Sequence, residues 1–456
     1  MIASNRTASS SSMSSLPSGR YIFDVTDMVR FAYIGGPVTG IPRVALTLAS
    51  QAYRLKPGQV TIGYFDAITR KYRVLADPDL AFDSDELCAH LKRSARFVKP
   101  VKFWKYKDSS IKSRYRTLAR RLTLRMLRAH ADLFGASNPN REISFDRGDK
   151  LICLGSGWDS LELVSHLTSS GVLQKIDEFI VLVHDLIPLL SRALPGVVDA
   201  RLYRHWLQQI LGTAASLLFY SSSSETDARD CLKKQGYLRF SSRRFRLGDE
   251  LIAAAKDKDE VRKEVQRLSN EPFMLFVGSM KGRKNGLNLL RALRQLHGVS
   301  NGRRFPRLVV AGSSTPRDVN DLCPDRSGLP DLVFVTKPND TELAWLYSHC
   351  RFTVYPSLYE GWGLPVGESL WHGKICATSN CSSMPEVGGD DCDYFDPHDP
   401  TDMARVLQPL IFDDAYLQNK TANIDRGRLK SWRDSALDLL TVLDAPSHVT
   451  QFHEAA

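Results

Sequence analysis

Two glutamates eight residues apart, Glu360 and Glu368, bracket the loop of YEGWGLPVGESLWHG (359–373). An ionised carboxylate only accepts hydrogen bonds, and vicinal hydroxyls are its natural donors. Between them Gly361-Trp362-Gly363 permits tight backbone turns, Pro365 fits the first position of a helix, and Gly373 marks its far end. Glu368 then falls in the first turn of that helix, whose free amides near Gly363, Leu364 and Val366 turn toward the same place. A backbone anion site set between two hydroxyl acceptors suits a molecule that runs hydroxyls, phosphates, hydroxyls: a nucleotide-sugar. A single glutamate there is favourable through the helix dipole alone, so the neighbouring segments must carry the reading.

FVGSMKGRKNGLNLL (276–290) is the first of these neighbours. An apolar run ends at Val277, Gly278 opens a loop, and Lys281, Arg283 and Lys284 arrive just before a helical pattern. Arg as a planar fork and Lys as a point charge suit a diphosphate, where a solvated basic turn is the plainer alternative. GGPVTGIPRV (35–44) offers glycines at Gly36 and Gly40 and a helix cap at Thr39. The spacing is not that of a dinucleotide fingerprint, and Pro42 removes one donor. His184 and Asp185 follow the apolar run FIVLVH, and Trp158 lies in LGSGWDS (154–160).

Such residues need strand ends to hold them. Short apolar runs alternate with helical patterns in two series, which predicts parallel sheets flanked by helices. Strands are expected at 21–25, 60–65, 150–154, 179–184 and 216–220, then at 273–277, 307–311, 332–335, 352–355 and 374–378. Ligands bind outside the carboxyl ends of strands in such sheets, where the candidate residues fall. The expected organisation is a Ser-rich tail over 1–19, a first doubly wound domain over 20–248, a second over 249–410, and C-terminal helices over 411–456. The boundary between domains lies between Gly248 and Pro272.

The 456 residues, 43% hydrophobic and 25% charged, describe a globular chain of two or three domains. The apolar run 179–190 is broken by His184, Asp185 and Pro188, so it reads as a strand and loop and not as a membrane span. Eight cysteines without a Cys-x-x-Cys pair read as reduced thiols of a cytoplasmic protein. The net charge of +10 is concentrated: residues 91–130 hold fourteen Lys or Arg against one Asp. FVKPVKFWKYK mixes aromatics with cations, and Ile111 to Ala129 has an apolar helical face. An anionic membrane surface and packing on its own domain are both open for that segment. No nucleic-acid-binding module accompanies it.

The block SLYEGWGLPVGESLWHGKICATSNCSSMPEVGGDDCDYFDPHD (357–399), with VGSMKGRKN (277–285), resembles the retaining glycosyltransferases of family 4. TGIPRV (39–44), LGSGWDS and VHDLIP (183–188) resemble bacterial polysaccharide and lipopolysaccharide mannosyltransferases. The resemblance implies a GT-B fold, two Rossmann-like domains facing a cleft, with a C-terminal helix crossing back to the first domain. It implies that Arg283 and Lys284 hold the donor diphosphate, Glu360 contacts the hexose, and Glu368 takes the ribose hydroxyls. Gly363 and Leu364 would offer amides; Gly278, Gly36 and Gly40 would line the donor site. His184 would stand beside the reacting face of the sugar, with Thr39, Trp158 and Asp185 toward the acceptor. No cofactor and no metal would be needed, because cations can serve as the electrostatic clamp. Trp362 stands where Phe is commoner, and Trp371 and His372 depart from the usual small-residue turn, which leaves the sugar open.

The implied activity is transfer of a hexose, mannose above all, from GDP-mannose, a UDP-sugar or a dTDP-sugar. The acceptor would be a lipid-linked oligosaccharide or growing polysaccharide at the inner face of the plasma membrane. A GT-B sugar-nucleotide epimerase and an inactive membrane-bound scaffold are the alternatives. Retention requires either a carboxylate nucleophile, for which no residue is compelling and Asp185, next to His184, comes nearest, or a same-face route in which the departing phosphate takes the acceptor proton.

Overall fold

The computed structural model describes residues 19–34, 40–75, 91, 125–126, 129, 140–159, 161–190, 200–237, 239–251, 261–300 and 302–451. Nearly all of the basic segment, and Gly35 to Thr39, lie outside the described residues.

The first domain contributes β1 (Tyr21–Asp24), β2 (Val60–Asp66), β3 (Lys71–Val74), β4 (Lys150–Cys153), β5 (Glu178–Leu182), β6 (Ser216–Phe219) and β7 (Arg239–Arg244). The second contributes β8 (Phe273–Val277), β9 (Arg307–Gly312), β10 (Leu332–Thr336), β11 (Thr353–Tyr355), β12 (Cys376–Ser379) and β13 (Cys392–Phe395); β14 (His448–Gln451) follows. The first sheet runs β14-β7-β6-β5-β4-β1-β2-β3, and the second β10-β9-β8-β11-β12-β13. All pairings in the second sheet are parallel. In the first, only the outer strands β3 and β14 pair antiparallel to their neighbours. Central strands such as β1, β6 and β11 are buried along their length, as sheets covered by helices on both faces require.

All ten expected strands are present, and four others are added. KYRV (β3), RFSSRR (β7), CDYF (β13) and HVTQ (β14) lack a continuous apolar run. β7 hides its polarity by pairing: Arg243 forms an ion pair with Glu178 of β5 and donates to the Ala445 carbonyl at 3.1 Å. Such pairing depends on partners more than 60 positions away, which local pattern does not register.

The chain returns to the first domain later than residue 411. Pro400–Phe412 packs on Gly286–Gly298 of the second domain, and Arg351 and Lys420 tie the next helix there through Asp414 at 2.7 Å and Asp393 at 2.9 Å. The crossing itself is the helix Trp432–Asp444, which lies on Ile41–Leu55 of the first domain. Ser431 and Asp434 form a capping box at its start, and Lys56 meets Asp444 at 3.2 Å near its end. At the crossing, Trp432 is buried and donates through Nε1 to the Glu250 carbonyl at 2.7 Å. Asp249 accepts from Arg246 at 2.7 Å and from the Lys430 amide at 2.8 Å, so both strands of the domain connection are bound together.

Candidate functional site

The cleft side of the second domain is built by the corners that follow β8 and β11, neighbouring strands. After β8 the backbone makes a 3₁₀ turn over Gly282–Lys284, closed by Asn285 in the left-handed region at φ 61. Asn tolerates that conformation, and its side-chain amide donates to the Pro397 carbonyl at 2.7 Å. The turn is stitched to the second corner, since the Leu358 amide donates to the Arg283 carbonyl at 2.8 Å. Arg283 and Lys284 are thereby aimed at one carboxylate.

That carboxylate is Glu360. Lys284 Nζ donates to it at 2.6 Å and Ser357 Oγ at 2.6 Å, and Arg283 pairs with the same oxygen. Arg283 also donates to the Tyr359 carbonyl at 3.0 Å, and the Lys284 ammonium lies 4.5 Å above the Tyr355 ring. Burial by itself would raise the Glu360 carboxyl, but the charges of Lys284 and Arg283 outweigh it and hold it at about 2. Burial pushes Lys284 down, Glu360 opposing, while the charge of Glu360 outweighs burial at Arg283 and raises it. With one carboxylate against two cations, the cluster carries a net positive charge and lies at the carboxyl edge of the sheet. Lys281 is not part of it: it pairs with Asp318 at 2.5 Å, half exposed.

The helix Leu364–Trp371 starts beside this cluster. Its N-cap is Gly363 at φ 105, without a side-chain cap, and Pro365 is its second residue, one place later than expected. Glu368, the fifth helical residue, lies just past the first turn in which it was expected, and is 5% exposed. Tyr347 donates to it at 2.8 Å, and Arg43 of the first domain approaches at 3.3 Å. Burial raises its carboxyl, opposed by Arg43. Gly278 leaves β8 at φ 131, with its amide bonded to the Ala311 carbonyl at 2.8 Å.

The first domain faces this wall with the corner after β5. His184 is 1% exposed, and its Nε2–H donates to the Leu154 carbonyl at 2.8 Å. Its other ring nitrogen then carries the lone pair, 3.5 Å from the Tyr220 hydroxyl. Burial lowers the ring to about 4, so it is neutral at physiological pH. Asp185 accepts from the Ile187 amide at 3.0 Å; burial raises its carboxyl to about 6, with Arg283 opposing across the cleft. Gly361 allows the approach of the domains, since a Cβ there would lie 2.0 Å from the His184 carbonyl oxygen. Glu386 adds a second link, accepting from the Ser222 and Ser223 amides at 2.7 and 2.8 Å, at the open end of the helix Ser222–Lys234.

Of the residues singled out from sequence, Glu360, Arg283 and Lys284 form one cluster, Gly363, Leu364 and Glu368 its flank, and His184 and Asp185 the facing wall. Gly40 caps Ile41–Leu55 at φ 61 and ψ −126, a conformation open to glycine. Gly36 and Thr39 lie outside the described residues. Trp158 is 8% exposed and packs edge-on to Trp206 with centroids 5.6 Å apart, and beside Tyr203 at 5.3 Å, so it serves the core of the first domain and offers little surface to an acceptor. Sequence reasoning passed over Ser357, Tyr355, Tyr347, Tyr220, Glu386 and Arg43. Tyr355 closes a strand and Arg43 follows TGIP, so their positions were available as signals; Tyr347 lies in the last turn of the helix Asp340–His349 and gave none.

Residues 257–426 match the family described as glycosyl transferases group 1. The matched segment contains Glu360, Glu368, Arg283 and Lys284. The serotype-specific mannosyltransferase WbdA of Escherichia coli is 29% identical over 263 residues, 56% of this chain and 32% of WbdA. The O-antigen chain mannosyltransferase B of Escherichia coli is 30% identical over 170 residues, 37% of this chain and 44% of that protein. The chain thus spans about a third to under half of the length of these relatives. Among solved structures, a sucrose-phosphate synthase from Thermosynechococcus elongatus superposes with a TM-score of 0.57 at 16% identity, covering 93% of this chain and 98% of that one. HepE from Anabaena, in complex with UDP and glucose, gives 0.55 at 12% identity over 94% and 100%. The overall architecture is the two-domain GT-B fold.

Proposed function

We propose that the domain with this matched segment and the domain facing it act together as a retaining α-glycosyltransferase. The donor is a nucleotide-sugar, GDP-mannose in first place, and the acceptor a lipid-linked or growing bacterial surface polysaccharide. The observation that carries the reading is the Arg283–Lys284–Glu360 cluster, beside an uncapped helix N-terminus and opposite His184 and Asp185. The mannosyltransferase names of the Escherichia coli relatives support the sugar and the pathway class.

Glu360 neutralises part of the charge of Arg283 and Lys284. A bound diphosphate would take over both cations, and the released carboxylate would accept from hexose hydroxyls. Glu368 would accept from the ribose hydroxyls, with Gly363 and Leu364 offering amides to phosphate or sugar. As the bond from the anomeric carbon to the phosphate oxygen breaks, Arg283 and Lys284 stabilise the nucleoside diphosphate that leaves, in the role that metal ions fill elsewhere. The acceptor oxygen attacks from the same face and gives its proton to the departing phosphate. Neutral His184 supports this face as a fixed hydrogen-bonding wall and supplies no proton.

A thermal-shift series with GDP-mannose, UDP-glucose and a dTDP-sugar tests the donor, since a ligand at a hundred times its Kd stabilises by about 2.7 kcal/mol. GDP-mannose is expected to raise the melting temperature most. Failure of every nucleotide-sugar to raise it would remove the reading. Radiolabelled mannose transfer to a polyprenyl-diphosphate oligosaccharide then tests the acceptor. Label recovered only as free sugar would leave hydrolysis or epimerisation in place of transfer.

A further inference from the structure

Arg43 stands on the first turn of the helix Ile41–Leu55, in the first domain, yet its guanidinium ends on the second. Nη1 lies 3.3 Å from Glu368 Oε1, and Nη2 lies 3.4 Å from Asp340 Oδ1. Tyr347 donates to the other Glu368 oxygen at 2.8 Å. One oxygen is therefore claimed by a neighbour in the same domain, and the other by a cation from across the cleft. With Arg43 in place Glu368 is 5% exposed, so a ligand has almost no access to it.

The contact has the geometry of a loose cover. At 3.3 Å it is longer than the 2.7–2.9 Å typical of charge-assisted hydrogen bonds, and it is not a two-pronged fork. Nη2 is buried and makes no hydrogen bond of its own. Its contact is the long ion pair to Asp340 at 3.4 Å, so neither prong of the guanidinium is tightly paired. Asp340 already lies within ion-pair range of Nη2, so a guanidinium that leaves Glu368 keeps an anionic neighbour.

We infer that Arg43 is an internal competitor for the ribose of the nucleotide. Its guanidinium occupies Glu368, is displaced by the two vicinal hydroxyls when the donor enters, and re-covers Glu368 as the nucleoside diphosphate leaves. The inference rests on the proposed reading of Glu368 as the ribose acceptor. It makes Arg43 a residue that sets nucleotide affinity and release, the step that limits many enzymes whose clefts close.

Calorimetric titration of GDP and UDP, each beside its 2′,3′-dideoxy form, tests the competition in the wild type, Arg43→Ala and Arg43→Gln. Both substitutions are expected to tighten the ribonucleotide about tenfold, equivalent to about 1.4 kcal/mol. The dideoxy forms, which have no hydroxyls with which to displace Arg43, are expected to keep their affinity within about twofold. Ribonucleotide affinity that stays the same or weakens in the substituted proteins overturns the competition. Equal tightening of the dideoxy forms overturns it too, because Arg43 would then be only a steric cover. Circular dichroism checks each fold, and Arg43→Gln, which keeps the bulk of the side chain, serves if Arg43→Ala fails to fold. Glu368→Ala separates the underlying reading: if removing Glu368 leaves ribo and dideoxy affinities unchanged, the ribose assignment itself fails, whatever Arg43 does.

Discussion

Arg283→Ala is the sharpest test of how the cleft would work. Arg283 pairs with Glu360 and donates to the Tyr359 carbonyl, and its side chain is 30% exposed, so it is part-desolvated and fixed in direction. Its removal leaves Glu360 bonded to Lys284 and Ser357, each at 2.6 Å, so the corner keeps two of its ties and the fold is expected to stand. The loss therefore falls on the leaving group. Deleting one preorganised donor aimed at developing negative charge lowers kcat by about 10²–10³, or roughly 3–4 kcal/mol of transition-state stabilisation. The ground-state diphosphate already carries charge, so the donor KM should rise as well, but by about tenfold at most. Arg283→Lys, which keeps the charge and loses the fork, is expected between the two. Single-turnover transfer with saturating GDP-mannose separates chemistry from release. A kcat within threefold of wild type, or a change confined to KM, would refute leaving-group stabilisation as the main catalytic term.

His184 predicts an acid sensitivity. Its folded-state pKa of about 4 lies below the usual value of 6.5, so the unfolded chain takes up a proton first as pH falls and stability is lost between about pH 6.5 and pH 4. The shift corresponds to a loss on the order of 3 kcal/mol, and urea melts of His184→Gln should show a shallower decline over that window; an unchanged slope counts against the buried neutral ring. Gly361→Ala places a Cβ 2.0 Å from the His184 carbonyl oxygen, so the domains should be unable to close: transfer is expected to fall more than a hundredfold while nucleotide binding persists, and scattering should show a wider cleft. Normal transfer in that variant would deny the closed arrangement a role. Flotation with anionic vesicles at low and high salt tests residues 91–130, with binding expected only at low salt and absent when the fourteen basic residues are neutralised. Among the described residues no helix is long and apolar enough to cross a membrane.

The local pattern of the sequence was enough for those parts of the protein whose physics is local. A buried parallel strand must be apolar along its length, so ten strands and the two-domain plan were legible, and with them the corners where ligands bind. Gly363 and Pro365 declared the start of a helix because the left-handed region and a fixed φ belong to those residue types. The pairing of Glu360 with Arg283 and Lys284 was not legible in the same way, because it requires β8 and β11 to be neighbours, which the strand order decides and the local pattern does not. The tertiary structure alone decided the rest. RFSSRR forms a strand because Glu178 and Ala445 satisfy Arg243, and the return to the first domain waits for Trp432 because the preceding helices bury their apolar faces on the second. Arg43 covers Glu368, although 325 positions separate them, because the two domains lie face to face. Contacts of that reach depend on how two separately folded surfaces meet, and no periodicity within either one encodes it.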